Sequence, residues 1–171
     1  EKIVVVGSMN MDITIEVSRI PLKGETQIAE KVYTFPGGKG GNQAVGAGKL
    51  GGRVYMIGCV GNDLDGKQLY SSLTENHVHM EGVQVNASVP SGKAYINVDQ
   101  NGESTIVVYQ GANRSLSIEQ INRCRYLFQS AKYCLLSLEI PEVIAEYTIK
   151  FCRRNDTKVI LKPRSEERRV G

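Results

Sequence analysis

At 171 residues the chain is long enough for one domain, and its 41% hydrophobic and 23% charged content is typical of a folded globular protein. A formal net charge of +3 is too small to indicate a nucleic-acid partner, and no basic stripe with interleaved aromatic residues supports one. No apolar run could span a bilayer and no charged-then-apolar leader is present, so we expect no membrane partner. The chain starts in a strand-like run without an initiator methionine, as a sequence cut at its front would.

The four cysteines form neither a Cys-x-x-Cys pair nor a zinc spacing. Cys59 and Cys134 lie inside apolar runs, where a buried reduced thiol is the ordinary state. This pattern favours a cytoplasmic protein over a secreted one held by disulfides, with the nucleus as a further possible compartment.

The first third of the chain predicts a buried strand followed by polar groups. Lys2–Val6 is a continuous β-branched run, as in a parallel strand that is buried on both faces. Asn10 and Asp12 follow at its carboxyl end, where open α/β sheets bind ligands. Residues 12–17 alternate polar and apolar side chains, and 26–35 could form a second half-exposed strand.

A glycine-rich stretch comes next, with four glycines around Lys39 in residues 37–41. A glycine turn that opens a helix directs several backbone N–H groups and the positive end of the helix dipole toward one place. We therefore predict a site for a polyhydroxylated or anionic small molecule, and a helix over 42–50. The alternative is a flexible connector.

Two further local patterns are weaker. Residues 46–51 match Gly-x-Gly-x-x-Gly, but they lie in and at the end of a predicted helix, whereas a dinucleotide fingerprint must open one. His77 and His79 could begin a metal site, yet no further ligands are evident, so we interpret them as the solvated exit of a helix over 64–76.

The remaining pattern alternates strands and helices: strands at 53–60, 132–138 and 157–161, and helices at 117–129 and 142–154. Two alternating strands, 93–98 and 104–109, flank an Asn-Gly turn and predict a hairpin. Alternation indicates an α/β fold, a three-layer α/β/α Rossmann-like sandwich. The amphipathic strands 12–17, 26–35, 93–98 and 104–109 would form a small separate β-sheet lid over its carboxyl edge.

Glu139 follows the predicted strand 132–138, at the same sheet edge as Asn10, Asp12 and the glycine stretch. An acidic residue there is either a helix cap or solvated turn, or a ligand contact.

Four motifs resemble the ribokinase-like carbohydrate kinases in order and spacing: residues 7–12, 37–44, 111–113 and 136–139. The resemblance covers nearly all of residues 2–161. It implies ATP-dependent phosphorylation of D-ribose to D-ribose 5-phosphate, assisted by Mg²⁺ and K⁺. The lid would be a β-clasp that closes over the sugar and forms a homodimer interface.

The same resemblance implies a set of substrate-binding residues on this chain. They are Asn10, Met11, Asp12, Gly38, Lys39, Gly40, Gly41, Asn42 and Glu139. The family's Gly-Ala-Gly-Asp motif, whose Asp is the general base, does not occur in this sequence. The segments that bind ATP, Mg²⁺ and K⁺ are likewise missing.

We therefore interpret the chain as the N-terminal, sugar-binding part of such a kinase, inactive alone. Residues 162–171 look like a non-native tail, either translated adapter sequence or a solvated charged tail. The alternatives are a kinase for deoxyribose or a nucleoside, or a non-catalytic fragment that binds sugar or dimerises.

Overall fold

The computed structural model describes residues 1–162, which form a five-stranded parallel sheet, flanking helices and a separate four-stranded sheet. The tail predicted at 162–171 lies outside the described residues except for Lys162, which ends the last strand. The elements, in chain order, are β1 (Lys2–Val6), β2 (Asn10–Glu16), β3 (Lys31–Gly37), α1 (Lys39–Lys49), β4 (Arg53–Gly61), α2 (Leu64–Glu75), β5 (Val78–Asn86), β6 (Gly92–Val98), β7 (Ser104–Tyr109), a 3₁₀ turn (Gly111–Ser115), α3 (Ile118–Arg123), α4 (Arg125–Phe128), β8 (Tyr133–Ser137), α5 (Glu142–Arg154) and β9 (Lys158–Lys162).

The larger sheet has the strand order β5-β4-β1-β8-β9, and every neighbouring pair is parallel. An apolar cluster on each face fills the space beneath the helices. One contains Leu69 and Leu73 of α2, and the other contains Ile121, Phe128 and Ile144 of α3, α4 and α5. The predicted three-layer α/β/α fold is confirmed.

The smaller sheet, called the lid here, has the order β3-β2-β6-β7. β2 pairs antiparallel with β3 and parallel with β6, and β6 pairs antiparallel with β7. The predicted hairpin joins β6 to β7, and Gly102 has φ +81° in its turn, a conformation that glycine adopts without steric cost.

Two lid strands begin elsewhere than predicted. The strand expected near 26–35 runs over Lys31–Gly37, and the one expected at 12–17 starts at Asn10. Pairing is the reason, because Asn10 lies opposite Gly37 and Glu16 opposite Lys31. Strand extent follows the partner strand, which periodicity along one segment does not reveal.

Helix and strand boundaries also differ in the main domain. His77 and His79 were interpreted as a helix exit, but His79 belongs to β5, where Val78, Met80 and Gly82 alternate toward the core. The helix predicted over 117–129 is two short helices, α3 and α4, separated at Cys124.

Helix α1 begins at Lys39, three residues before its predicted start. Its first turn is glycine-rich because it packs directly on the chain after β1. A Cβ on Gly40 would collide with the backbone of Gly7 and Ser8. The helix N-terminus therefore lies against the carboxyl end of the central strand.

Candidate functional site

A cleft of about 550 Å³ lies between the carboxyl edge of the main sheet and the lid. Its polar lining comes from lid strand β2, the first turn of α1 and the turns after β1, β3, β7 and β8, and its apolar lining comes from lid strands β6 and β7. The lining residues are Ser8, Asn10, Asp12, Gly38, Lys39, Asn42, Ala94, Ile96, Ile106, Val108, Gln110, Asn113 and Glu139.

Six of the nine predicted site residues meet at this cleft: Asn10, Asp12, Gly38, Lys39, Asn42 and Glu139. The other three are absent from its lining. Met11 is 2% exposed and packs in the core, since it points to the opposite face of β2 from Asp12. Gly40 and Gly41 are buried against Gly7 and Met9. A Cβ on Gly40 would block the approach of the helix, whereas one on Gly41 would make only ordinary van der Waals contacts.

Glu139 forms the charged centre of the cleft. One carboxylate oxygen lies 2.8 Å from Lys39 Nζ, and the other accepts a hydrogen bond from Ser8 Oγ at 2.7 Å. The backbone N–H of Lys39 also donates to this carboxylate, at the N-terminus of α1. Burial by itself would raise the pKa of Glu139, but these hydrogen bonds and the Lys39 charge outweigh it and hold that pKa below its ordinary value.

Asp12 has the opposite electrostatic situation. Burial raises its pKa, and the negative charge of Glu139 raises it further. No described residue donates a hydrogen bond to its carboxylate. A half-buried carboxylate without a donor favours a ligand hydroxyl that can supply one.

Gly38 shapes the turn between β3 and α1. Its φ of +86° lies in the left-handed region, and a Cβ there would collide with Ser8 O, Met9 Cα and Asn10 N. Only glycine fits both constraints. Asn42, one helical turn further, is exposed at the cleft wall with its side-chain amide available.

The lid supplies an apolar wall. Ala94 and Ile96 of β6 lie opposite Val108 and Ile106 of β7, so the four side chains share one face. The sequence interpretation did not select them, although the period-two alternation of both strands was the signal that could have done so.

Ser8, Gln110 and Asn113 were also missed as cleft residues. Asn113 lay within a motif of the resemblance, but a buried amide that contacts other polar groups has no signature of its own in sequence.

The described residues contain no group of three or more His, Cys, Asp or Glu side chains that could hold a metal ion. His79 stacks on Tyr55 with 4.5 Å between ring centroids, away from the cleft. All four cysteines are free and buried. Within residues 1–162, no helix has both the length and the apolarity needed to cross a membrane.

The comparison with protein families identifies the family to which the chain belongs. The model of the pfkB family carbohydrate kinases matches residues 1–170. The chain belongs to the pfkB family of carbohydrate kinases. The resemblance noted in the sequence is thereby confirmed.

Individual relatives are similar along nearly the whole chain. The ribokinase of Bacillus subtilis is 35% identical over 161 residues, which are 94% of this chain and 55% of that protein. The solved ribokinase of Thermotoga maritima is 36% identical with a TM-score of 0.81, covering 93% of this chain and 51% of the other. The ribokinase of Arabidopsis thaliana, solved with ribose and ATP, is 33% identical with a TM-score of 0.81, over 93% and 52%. The chain thus spans about half the length of the relatives it matches.

Proposed function

We propose that this chain is the sugar-binding part of a ribokinase-type enzyme, which transfers a phosphoryl group from ATP to the 5-hydroxyl of D-ribose. The observation that carries the proposal is the chemistry of the cleft. The carboxylate of Asp12, several side-chain amides and an ion-paired lysine face an apolar wall. Such a set suits a small polyol, whose hydroxyls donate and accept and whose carbon skeleton is weakly apolar.

Each polar residue then has a distinct task. Asp12 accepts hydrogen bonds from neighbouring ribose hydroxyls, while Asn10, Asn42 and Lys39 donate to sugar oxygens. Glu139 keeps Lys39 in place and accepts from a hydroxyl near the anomeric carbon. The lid covers the sugar with Ile96 and its neighbours and excludes water, which would otherwise compete as phosphoryl acceptor.

ATP supplies the phosphoryl group, but the residues of this chain do not fit a complete nucleotide site. The described residues contain no group of three or more His, Cys, Asp or Glu side chains that could hold a metal ion, and the sequence lacks Gly-Ala-Gly-Asp. Positioning and charge neutralisation of the phosphoryl group depend on such elements. We therefore expect the chain alone to bind sugar without turning over ATP.

Titration calorimetry with D-ribose tests the binding claim. We expect saturable binding, at least tenfold weaker in Asp12→Ala because the main acceptor is lost. An assay of ATP-dependent ribose phosphorylation on the same sample tests the second claim, and clear turnover would contradict it. Absence of ribose binding by a cooperatively folded sample would refute the proposed function.

The alternative within the family is a kinase for deoxyribose or a nucleoside. The cleft favours ribose, because Asp12, Asn10 and Lys39 together offer partners for several hydroxyls at once. Titration with 2-deoxy-D-ribose and adenosine distinguishes these sugars. Binding of either tighter than D-ribose would reverse the assignment.

We also propose that the lid pairs with a second copy, because its β3 and β7 strands expose large apolar side chains. Val32 of β3 and Val107 of β7, on the lid face away from the cleft, are 61% and 67% exposed. Light scattering is expected to give a dimer, and a Val32→Ser/Val107→Ser variant a monomer. A wild-type monomer at micromolar concentration would refute this pairing.

We propose a cytoplasmic location from the buried free thiols, and no feature of residues 1–162 favours the nucleus.

A further inference from the structure

Asn113 lies beneath the cleft, 3% exposed, in the turn after the last lid strand. Its Oδ1 accepts a hydrogen bond from the Met9 backbone N–H at 2.9 Å. Its Nδ2 lies 2.9 Å from the Gln110 carbonyl oxygen, 3.1 Å from the Met9 carbonyl oxygen and 2.8 Å from Asn10 Oδ1. One side chain therefore connects the residue after the last lid strand to the two residues at the start of the first lid strand.

These contacts determine which way two carboxamides point. A backbone N–H can only donate and a carbonyl can only accept, so Met9 and Gln110 leave Asn113 a single orientation. Its Nδ2 lies 2.8 Å from the Asn10 carboxamide, where an NH₂ of Asn10 would place donor against donor, so Asn10 presents Oδ1 to it. The amide NH₂ of Asn10 is left for the cleft, beside Asp12.

We propose that Asn113 is a positioning residue for sugar binding, because it makes Asn10 present a hydrogen-bond donor and not an acceptor to the ligand. The inference rests on the proposed function for the identity of the ligand. A donor from Asn10 next to the acceptor Asp12 matches two neighbouring hydroxyls of a polyol, one accepting and one donating. An unfixed Asn10 would offer both amide faces and lose this preorganisation.

A substitution at Gly92 offers a second, independent way to disrupt the same hydrogen bond. A Cβ at Gly92 would collide with both Asn113 Nδ2 and Asn10 Oδ1. Its φ is not in the left-handed region, so Gly92→Ala adds no strain from φ, and its closest contacts are these two side-chain atoms, with the Gln110 carbonyl oxygen next at 3.0 Å. Gly92→Ala should therefore act like Asn113→Ala.

The test is calorimetry with D-ribose on the full 171-residue chain. Asn113→Ala and Gly92→Ala are each expected to weaken binding about tenfold, the effect of one lost ordered hydrogen bond. In an Asn10→Ala background neither should weaken it further. The matched control is Gln120→Ala, which removes an equally buried amide bound to the Gly58 and Gly82 carbonyls, away from the cleft. It should lower the melting temperature and leave the affinity unchanged.

An equal loss of affinity with and without the Asn10 side chain would overturn the inference, since a merely structural role predicts additivity. If Asn113→Ala does not fold, Gly92→Ala carries the same test. A readout without sugar separates this inference from the proposed function. The NMR signals of the Asn10 carboxamide can be assigned by their loss in Asn10→Ala. They should report a more mobile carboxamide in Gly92→Ala and in Asn113→Ala, and an unchanged one in Gln120→Ala. Unchanged mobility in all three would refute the positioning role even if ribose does not bind.

Discussion

The ion pair between Lys39 and Glu139 allows the sharpest test of how the cleft is built. The perturbations are Lys39→Met, which keeps the apolar stem, and Glu139→Gln, which keeps the shape and one acceptor oxygen. Lys39→Met leaves the Glu139 carboxylate without its cation, and Glu139→Gln leaves the Lys39 ammonium without its anion. The double variant removes both charges together, so a double-mutant cycle isolates their interaction.

The magnitude follows from burial and distance. The charged atoms lie 2.8 Å apart, and the side chains are 21% and 24% exposed. Breaking a fully buried pair costs about 3–5 kcal/mol, whereas a solvated pair contributes about 0–1 kcal/mol. This partly exposed pair lies between these limits. We expect each single variant to lose about 2 kcal/mol of unfolding free energy and the cycle to give a coupling of about 1.5 kcal/mol.

The assay is urea-induced unfolding at pH 7, followed by circular dichroism, for the wild type and the three variants. Additivity within about 0.5 kcal/mol would refute the argument, because it would mean that the two charges do not interact across the cleft.

The same comparison at lower pH has a definite sign. The pKa of Glu139 in the folded protein lies below 4.5, its ordinary value. The stability that it contributes is therefore complete above that value and is lost as the pH falls through the folded pKa. The stability difference between the wild type and Glu139→Gln should shrink only below about pH 4.5. A difference that shrinks already near pH 6 would contradict this assignment.

Three further predictions concern stability. Asp12→Asn should raise the unfolding free energy at pH 7, because burial raises the pKa of the Asp12 carboxyl and the variant has no charge to bury. The same variant should weaken ribose binding. A lower unfolding free energy in urea would contradict this. Gly38→Ala should lower the unfolding free energy by more than about 3 kcal/mol, because of its positive φ and its close backbone contacts. Gly46→Ala, on the open side of α1, should raise the unfolding free energy by about 0.5–1 kcal/mol. Equal melting temperatures of the two variants would refute the distinction. Asp63→Ala should lower the unfolding free energy by about 1–2 kcal/mol. The Asp63 carboxylate caps α2 and also accepts hydrogen bonds from the backbone N–H and the hydroxyl of Ser91 at the base of the lid. An unchanged urea midpoint would contradict this prediction.

Much of the fold could be predicted because its signals are local. The β-branched run Lys2–Val6 and the amphipathic stretch Glu142–Arg154 have the predicted boundaries. Turn residues identified the hairpin between β6 and β7. β5 was missed, because a short alternating run with histidines also fits the end of a helix, and its neighbour β4 decides the choice.

The candidate site was predictable only in part. Asn10, Asp12 and Glu139 were selected because residues after parallel strands meet at one edge of the sheet, and Lys39 because it lies in the glycine stretch that opens a helix. Whether a residue faces the cleft was not predictable, since it depends on strand register. Met11 lies between Asn10 and Asp12 along the chain and still faces the core.

The sequence by itself thus determined the layers of the fold, the glycine turn and the family, because short patterns of hydrophobicity and turn residues carry that information. Only the tertiary structure decided which polar groups around the cleft are hydrogen-bonded to each other. Ser8 and Glu139 are 131 positions apart and Met9 and Asn113 are 104 apart, yet both pairs are hydrogen-bonded. No local pattern encodes such pairings, because they arise where the packing of sheet, helix and lid brings distant polar groups within reach.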